Sequence, residues 1–321
     1  MSKKNKILIL GTVPPPIGGV TIHVSRLLRK LTQQSSVLFL FKPLNIKALV
    51  VFPFILLRYD KIHLHSSNPY VRLFTSIICF LLSRVSIITF HGDIGRYKSL
   101  FLNALDKITI RFSTIPIVLN HKSLEIAMQI NSKTLLISSF IPPDNAGDGL
   151  STNQVLTIKL VKENTDKLYC TNAYNLTYDS SDNEIYGIFE IIEFFLSHKN
   201  LGLIFSDPSG IYTNEFKKRA IKLTDNIVVL NGHHSFYEVI KLSDVSIRNT
   251  STDGDSISVK ESLFLGKITM CTDVVSRPRG VSLYKRGQLP KAIEQVTNNK
   301  FIAPNVSIEE ASERLFELYN L

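Results

Sequence analysis

The chain has 321 residues, of which 44% are apolar and 20% are charged, and its mean hydropathy is +0.12. At about 150 residues per domain this length predicts two domains, and the composition excludes a disordered or fibrous chain. The three cysteines are far apart and form neither a disulfide framework nor a zinc motif, which is typical of a reducing compartment. The first apolar run, at residues 7–10, is too short for a secretory signal, so we expect a cytoplasmic protein.

The net charge of +10 is unevenly distributed along the chain. Residues 1–150 carry a net charge of +12, whereas residues 151–321 carry −2. A strongly basic half predicts an anionic partner. Its cations are scattered and match no nucleic-acid motif, which disfavours nucleic acid. Because this half is also very apolar, an anionic membrane surface or a lipid-diphosphate acceptor fits better.

Two segments of the first half, at 48–57 and 73–82, are strongly hydrophobic. Each is shorter than the roughly 20 residues that span a bilayer. Core helices are therefore favoured, while contact with one membrane face and a true span stay open as alternatives.

Short apolar runs predict the strands of the first half, and a helical spacing at 21–31 predicts a helix between the first two. The strands are expected at 6–10, 37–41, 61–65, 87–90, 116–119 and 134–137. Strands that alternate with helical segments predict a parallel sheet. Ligands of such sheets bind at the carboxyl ends of the strands, where polar clusters follow in this sequence.

A polar stretch rich in Pro and Gly at 142–149 predicts the domain boundary, and the strand–helix alternation then restarts. Strands are expected at 167–170, 201–205, 227–230 and 245–248, and helices at 185–196, 214–223, 235–242 and 308–319. The fold class is therefore α/β, with domains at 1–148 and 149–321. The last helix is a candidate to pack back on the first domain.

The loop and helix at 249–267 are the most informative stretch. Asp253 begins a Gly-containing acidic turn, and Glu261 follows eight positions later in what is typical of a first helical turn. Two carboxylates beside free helical N–H groups suit a polyol and a phosphate together, as in a nucleotide sugar. The alternative is structural, because Ser258 and Glu261 have the spacing of a capping box. That alternative leaves Asp253 and Asp255 unexplained.

Two motifs of the first half are further candidates. Gly18 and Gly19 follow the first strand, where glycine lets a ligand approach the backbone and a helix start faces anions, although a plain tight turn is the alternative. The pattern is not GxGxxG, so the dinucleotide fingerprint is absent. His91, at the end of an apolar strand, could orient a hydroxyl or transfer a proton, or could be satisfied locally. The other histidines of this half lack metal-ligand spacing.

These motifs together resemble a known family. The loop and helix resemble the E-x7-E signature of the retaining glycosyltransferases with the GT-B fold, with Asp253 in place of the first Glu and Glu261 retained. The segment 252–256, with Arg277 downstream, looks like members that build bacterial O-antigen and capsular polysaccharides. Residues 15–20 followed by His23, and residues 90–92, resemble the family's N-terminal loop and its histidine at the end of an N-domain strand.

The resemblance implies a GT-B enzyme with two Rossmann-like domains whose parallel sheets face each other across a cleft. The first domain would present the acceptor and the second would hold the donor. By analogy, Glu261 would bind the ribose, Asp253 the sugar hydroxyls, and His91 the donor sugar near the reacting centre. The diphosphate would meet N–H groups around the turn and the helix start, at Gly254, Asp255, Ser256 and Ile257. No metal and no cofactor beyond the nucleotide-sugar co-substrate is expected.

One departure from the family concerns its diphosphate clamp. Relatives usually carry an Arg and a Lys after the first strand of the second domain, but this sequence has Asn172 there and neither cation nearby. Arg248, at the end of the strand before the acidic turn, is a candidate replacement, and Lys260 is another. Asn172 and Arg248 therefore join the expected donor contacts.

The sequence thus predicts a cytoplasmic glycosyltransferase that lies on the inner face of the membrane. It would be a metal-independent hexosyltransferase that moves a sugar to a lipid-linked saccharide with retention. A UDP-sugar is the favoured donor, and a GDP-sugar stays open as an alternative. A nucleotide-sugar epimerase of the same fold and a non-catalytic partner subunit remain alternatives. A basic membrane-binding module is the weakest, because it leaves the second half unexplained.

Overall fold

The computed structural model describes residues 6–15, 17–33, 52–143, 149–179, 181–298 and 306–319. The chain forms two compact units. The first unit comprises residues 1–142 and 309–321, and the second comprises residues 143–308. The division falls after Pro142, a few residues before the predicted boundary, and the last helix belongs to the first unit.

The first unit contains a parallel sheet with helices between its strands. The described strands are β1 (Ile7–Leu10), β2 (Lys61–His65), β3 (Val85–Phe90), β4 (Ile115–Val118) and β5 (Leu135–Leu136). They pair in the order β1-β2-β3-β4-β5. The predicted strand at 37–41 lies outside the described residues. The helices are α1 (Gly19–Gln33), α2 (52–56), α3 (Pro69–Leu81), α4 (Leu100–Phe112) and α5 (His121–Met128).

The described parts of the two hydrophobic segments of the first half are amphipathic helices. Phe52 and Leu56 of α2 and Cys79 of α3 lie in the core, whereas Phe54 and Phe80 point to solvent. Among the described residues, no helix combines the length and the hydropathy needed to cross a bilayer.

The second unit contains a six-stranded parallel sheet. Its strands are β6 (Lys167–Asn172), β7 (Leu201–Asp207), β8 (Ile227–Asn231), β9 (Val245–Arg248), β10 (Ile268–Thr272) and β11 (Ser282–Tyr284). Its helices are α6 (Thr152–Glu163), α7 (Ile188–Ser197), α8 (Ile211–Lys218), α9 (Phe236–Leu242), α10 (Ile257–Phe264) and α11 (Leu289–Asn298). The last helix of the chain, α12 (Ala311–Tyr319), returns to the first unit, where it packs with Ile7 and Ile9 of β1 in one core.

The strand order of the second sheet identifies its ligand-binding edge. The order β11-β10-β9-β6-β7-β8 reverses direction between β6 and β9, since the chain runs outward from β6 on one side and from β9 on the other. Cys170 lies opposite Ser246, so the strand ends, Asn172 and Arg248, reach the same edge. In open α/β sheets the carboxyl edge at such a reversal is where ligands bind.

Glu184 fixes the start of α7 beside this edge. Its Oε1 accepts a 2.8 Å bond from the N–H of Ile188, and its Oε2 accepts a 3.1 Å bond from the N–H of Phe189. The hydroxyl of Tyr212 donates to the same carboxylate at 2.6 Å. A carboxylate at a helix N-terminus satisfies the unpaired donors and opposes the positive end of the helix dipole.

Candidate functional site

Asp253 lies between two arginines at the carboxyl edge of the second sheet. Arg248, the last residue of β9, donates from Nε to Oδ2 of Asp253 at 2.9 Å and from Nη2 to Oδ1 at 3.0 Å. Arg277 donates from Nη1 to Oδ2 at 2.8 Å. The side chains of Arg248, Asp253 and Arg277 are 13%, 9% and 2% exposed. Two guanidinium groups around one carboxylate leave a net positive charge at this edge.

Arg277 is held from several sides. Its Nη2 donates to Oγ1 of Thr250 at 3.0 Å and its Nε donates to the carbonyl of Thr272 at 3.2 Å. Arg248 is freer, because its Nη1 makes no hydrogen bond within the described part of the chain and its guanidinium lies over the ring of Tyr186, 5.1 Å from the ring centre. Arg277 therefore anchors Asp253, while Arg248 keeps a donor for a ligand.

The ionisation of Asp253 follows from these partners. Burial raises the pKa of its carboxyl group, but the charges and hydrogen bonds of Arg248 and Arg277 outweigh burial and hold the pKa below its ordinary value. Burial lowers the pKa of Arg248, and Asp253 more than offsets this, so the net shift is upward. Asp253 and Arg248 are therefore both charged near neutral pH.

The start of α10 differs from the predicted capping box. Ser256 is the N-cap and makes no side-chain capping bond among the described residues; its hydroxyl instead lies 3.1 Å from that of Ser258. Because the helix begins at Ile257, Ser258 is its second residue and Glu261 lies in its second turn. The capping-box interpretation is therefore wrong, and Glu261, which is 4% exposed, does not close the helix start.

The other acidic residue of the turn is paired with a cation. Asp255 forms a salt bridge with Lys260, and the two side chains are only 9% and 12% exposed. This pair is electrically neutral, so Lys260 adds little net charge for a diphosphate. The net positive charge beside α10 comes from the arginines.

The sequence prediction missed a second layer of residues behind this turn. Asn249 donates from Nδ2 to Oε2 of Glu190 at 2.9 Å and to the carbonyl of Gly187 at 3.2 Å, and its Oδ1 accepts from the hydroxyl of Tyr284 at 3.0 Å. Arg286 donates to the carbonyl of Asn249 and pairs with Glu190 at 3.3 Å. These contacts fix the backbone where β9 passes into the acidic turn. Only the position of Asn249, directly after a strand, signalled a role.

Asn172 occupies the predicted place at the end of β6. It is partly buried and pairs in register with Ser206 of β7. Its neighbour Thr171 donates from Oγ1 to the carbonyl of Ile247 at 3.0 Å, which joins β6 to β9. Asn172 therefore lies on the strand next to the one that ends in Arg248.

The two glycines of the first unit lie at the start of α1. Gly18 donates its N–H to Oγ1 of Thr21 at 3.0 Å, and the hydroxyl of Thr21 donates back to the carbonyl of Gly18. Gly19 is the first residue of the helix and is exposed. Both glycines lie on the path from β1 into α1, at the carboxyl edge of the first sheet.

His91 belongs to a cluster of four histidines at this edge. His65, the last residue of β2, has its Nδ1 3.1 Å from Nε2 of His91. The ring centres of His63 and His65 are 4.0 Å apart, and that of His23 of α1 lies 4.9 Å from His65 and 5.6 Å from His91. Burial lowers the pKa values of His63, His65 and His91 well below the ordinary range, and the neighbouring histidines lower them further. Their rings are therefore neutral at neutral pH.

The four histidines do not form a metal site in this arrangement. Within the described ranges, no group of three or more His, Cys, Asp or Glu side chains is placed to hold a metal ion. His121 lies apart, exposed at the start of α5. The neutral rings of His63, His65 and His91 thus pack together at this edge.

Comparison with known proteins identifies the fold. No protein-family model and no curated protein sequence matches the chain. The solved structures that are similar over most of the chain include the following three. Anabaena HepE in complex with UDP-glucose has a TM-score of 0.68 at 13% identity and covers 98% of this chain and 95% of its own. The UDP-GlcNAc 2-epimerase of Methanocaldococcus jannaschii has a TM-score of 0.64 at 14% identity, covering 98% and 99%.

The third is WaaG, a glycosyltransferase involved in lipopolysaccharide biosynthesis, with a TM-score of 0.63 at 11% identity, covering 91% of this chain and 90% of its own. Each likeness extends over both units of this chain. Together with the two parallel-sheet α/β units, these likenesses show that the chain has the GT-B fold.

Proposed function

We propose that this chain is a glycosyltransferase that moves a sugar from a nucleotide-sugar donor to a lipid-linked saccharide in O-antigen or capsule synthesis. A UDP-sugar is the favoured donor, with a GDP-sugar as the alternative. The observation that carries the proposal is the placement of Arg248 and the start of α10 at the reversal of the second sheet. A net positive charge beside a helix N-terminus suits a diphosphate. The fold neighbour HepE binds UDP-glucose, which supports the choice of donor.

In this proposal the second unit holds the donor. The nucleotide meets Asn172 and Glu261, and the diphosphate meets Arg248 and the N–H groups of the acidic turn and helix start, namely Gly254, Asp255, Ser256 and Ile257. Gly18 and Gly19 of the first unit complete the donor contacts. His91 and Asp253 act at the donor sugar. The guanidinium and N–H groups offset the charge of the leaving diphosphate, so transfer needs no metal and no cofactor.

The donor site is tested by calorimetry with UDP, GDP and a panel of their sugars. We expect binding of a UDP-sugar that Arg248→Ala weakens about 10- to 100-fold, since a hydrogen bond to a charged group contributes about 1.5–3 kcal/mol. Lys222→Ala, an exposed cation of the same unit, is the matched control and leaves binding unchanged. An absence of binding across the whole panel would overturn the proposal.

Two alternative functions can be distinguished from this proposal by experiment. An epimerase is favoured by the likeness to the 2-epimerase fold, and it would convert the donor sugar when no acceptor is present, which NMR of the sugar detects. A non-catalytic partner subunit is favoured by the missing Arg and Lys near Asn172. In that case Asp253→Ala and His91→Ala would leave polysaccharide synthesis intact in cells.

The acceptor side of the proposal is supported by an exposed apolar face on the first unit, formed by α3 and α4. Leu81 and Phe80 of α3 are 69% and 61% exposed, and Leu100 and Phe101 of α4 are 86% and 61% exposed. The two helices pack side by side, with the rings of Phe80 and Phe112 5.2 Å apart. We call this surface the α3–α4 face. Large apolar side chains exposed on two neighbouring helices are typical of a partner or membrane surface.

The charges of the α3–α4 face favour an anionic bilayer. Both helices are fully described, and their one acidic residue, Asp106, is buried against Arg72. The exposed charges on these helices, Lys107 and Arg111, are both positive. Cations beside aromatic and aliphatic side chains suit a surface of anionic lipid head groups. Peripheral attachment at the inner face of the membrane would bring the first unit to a lipid-linked acceptor.

Vesicle sedimentation tests this surface. We expect the protein to bind vesicles that contain phosphatidylglycerol and not vesicles of phosphatidylcholine alone. Phe80→Ser with Phe101→Ser abolishes that binding, whereas Leu156→Ser with Leu160→Ser, which changes equally exposed leucines of α6, leaves it intact. Dimerisation that the first pair of substitutions abolishes, without vesicle binding, would assign the face to a second copy of the chain instead.

A further inference from the structure

In the histidine pair at the edge of the first sheet, one ring nitrogen of His65 is buried and has no hydrogen-bond partner within the described part of the chain. His65 is 3% exposed, and its Nδ1 is bonded to Nε2 of His91, but its Nε2 is buried and has no hydrogen-bond partner among the described residues. Buried polar atoms without partners are rare in native proteins. The burial of this one beside His91 points to a role beyond packing.

The packing around His65 fixes its ring. The ring of His63 packs against it at a tilt of 42°, with ring centres 4.0 Å apart. His63 is itself held on both sides, by the hydroxyl of Tyr319 at Nδ1 and by Oγ1 of Thr89 at Nε2, 2.8 Å away. His23 is also held in place, because its Nδ1 donates to the carbonyl of Ser139 at 2.7 Å. His65 therefore has little freedom to rotate away from His91.

The hydrogen bond between His65 and His91 carries one proton, and there are two ways to place it. If His91 donated from Nε2, the proton of His65 would lie on Nε2, which would then be a buried N–H group without an acceptor. If His65 donates from Nδ1, its Nε2 is a bare lone pair. Orphaned buried N–H groups are rarer than acceptors without donors, so the second arrangement costs less.

That arrangement determines whether the second ring nitrogen of His91, Nδ1, carries a proton. With Nε2 of His91 as the acceptor, its proton lies on Nδ1, which makes no hydrogen bond to the described part of the chain. His91 is only partly buried, so this N–H is the group it presents to a ligand. An N–H donor can bind a sugar hydroxyl or a developing oxyanion, but it cannot accept a proton.

We propose that His65 is a positioning residue that donates from Nδ1 to Nε2 of His91 and thereby makes His91 a hydrogen-bond donor, not a base, toward the sugar. The inference rests on the proposed function, in which His91 meets the donor sugar. It follows that the substrate must present an oxygen atom that accepts a hydrogen bond from His91. The lowered pKa values of His65 and His91 agree with it, since neither ring would carry a second proton near neutral pH.

The tautomer is tested directly by long-range 1H–15N correlation spectra of the full-length protein labelled at histidine. We expect the wild type to show the proton of His91 on Nδ1. His65→Leu removes the donor, and the proton of His91 then redistributes between its two nitrogens. His65→Asn keeps an amide donor near the position of Nδ1 and retains the wild-type pattern. A proton on Nε2 of His91 in the wild type would overturn the inference, even if neither variant folds.

Kinetics supply the second readout. Where an outer partner fixes the tautomer of a functional histidine, as at metal sites, its loss costs about 10- to 100-fold in activity. We expect His65→Leu to lower kcat by that factor with KM within about twofold, His65→Asn to restore most of kcat, and His121→Leu, an exposed control, to change neither. A rise in KM with an unchanged kcat would contradict the inference. A protein without any transferase activity would refute the proposed function, while the spectra would still decide the tautomer.

Discussion

The carboxylate of Asp253 receives two parallel hydrogen bonds from the guanidinium of Arg248, at 2.9 and 3.0 Å, so the acidic turn is tied to the strand that precedes it. Arg277 donates a third hydrogen bond to the same carboxylate. The carboxylate is therefore already engaged by protein groups, and its first effect is to hold two arginines beside the start of α10. Any contact with a sugar hydroxyl would be added to this role.

The first prediction concerns the loss of this carboxylate. Asp253→Ala leaves two mostly buried guanidinium groups without their anion, and breaking a buried ion pair from one side costs about 3–5 kcal/mol. We expect the free energy of unfolding of the second unit, measured with urea and circular dichroism, to fall by that amount. Asp273→Asn, an exposed acid on the same edge, is the control. Unchanged stability with lost transfer would instead show that Asp253 acts only on the substrate.

The second prediction concerns Gly187, the N-cap of α7. Its φ is +62°, and a Cβ there would lie 2.5 Å from Nδ2 of Asn249 and 2.6 Å from Nη2 of Arg286. Gly187→Ala therefore displaces Asn249 and Arg286, which support the backbone leading into the acidic turn at Asp253. Gly210, the N-cap of α8, has a φ of +71° with no atom within 4 Å of the corresponding Cβ, so Gly210→Ala carries the backbone strain alone.

Both glycine variants pay about 1–2 kcal/mol for the left-handed conformation. We expect Gly187→Ala to lose about 1–3 kcal/mol more in urea unfolding, which is the usual cost of overpacking, and to weaken UDP binding in calorimetry. Equal losses for the two variants would show that Asn249 and Arg286 relax without consequence.

The fold was largely predictable because its strands are short, buried and rich in β-branched residues. Strands β1, β3 and β9 were expected close to their observed positions, and the GT-B fold class is confirmed. Strand β11 was missed, because its three residues, at 282–284, show no apolar alternation. Helix α11 was also missed, although its spacing is amphipathic.

The site was less predictable, since its partners come from distant parts of the chain. Asp253 and Arg248 were both expected at the same strand end. Nothing in their spacing shows that Arg277, from beyond the next strand, would bond to the same carboxylate. The capping-box interpretation failed because the helix begins at Ile257, and helix ends are the least reliable part of a periodicity argument.

The third prediction concerns acid stability. Burial is the largest cause that lowers the pKa values of His63, His65 and His91. The charge of His23 lowers all three further, and the charges of Arg72 and Arg96 also lower the pKa of His91. Below pH 6.5 the unfolded chain binds protons on these residues that the folded chain does not. The free energy of unfolding therefore falls as pH falls, by about 1.4 kcal/mol per pH unit for each histidine.

We expect the urea midpoint of the first unit to drop steeply between pH 6.5 and the lowered pKa values of the cluster. His63→Gln removes one titrating ring and reduces the slope by about one third. His121→Gln, which changes an exposed histidine, leaves the slope as it is. A midpoint independent of pH in this range would mean that the cluster is protonated in the folded state.

The fourth prediction concerns the buried pair that joins α3 to α4. Arg72 and Asp106 are each 2% exposed, and Arg72 also donates to the carbonyl of Ser66 at 2.8 Å and lies over the ring of Phe90, which precedes His91. Arg72→Met leaves the buried Asp106 without its cation, which costs about 3–5 kcal/mol.

Arg72→Met with Asp106→Leu removes both charges and should recover most of that loss, because the desolvation penalty disappears with the pair. Lys162→Ala, which breaks the Lys162–Asp244 pair, should cost at most about 1 kcal/mol, since those side chains are 43% and 37% exposed. Urea unfolding of the single and double variants measures the coupling. A double variant less stable than Arg72→Met would show that the pair stabilises the first unit outright.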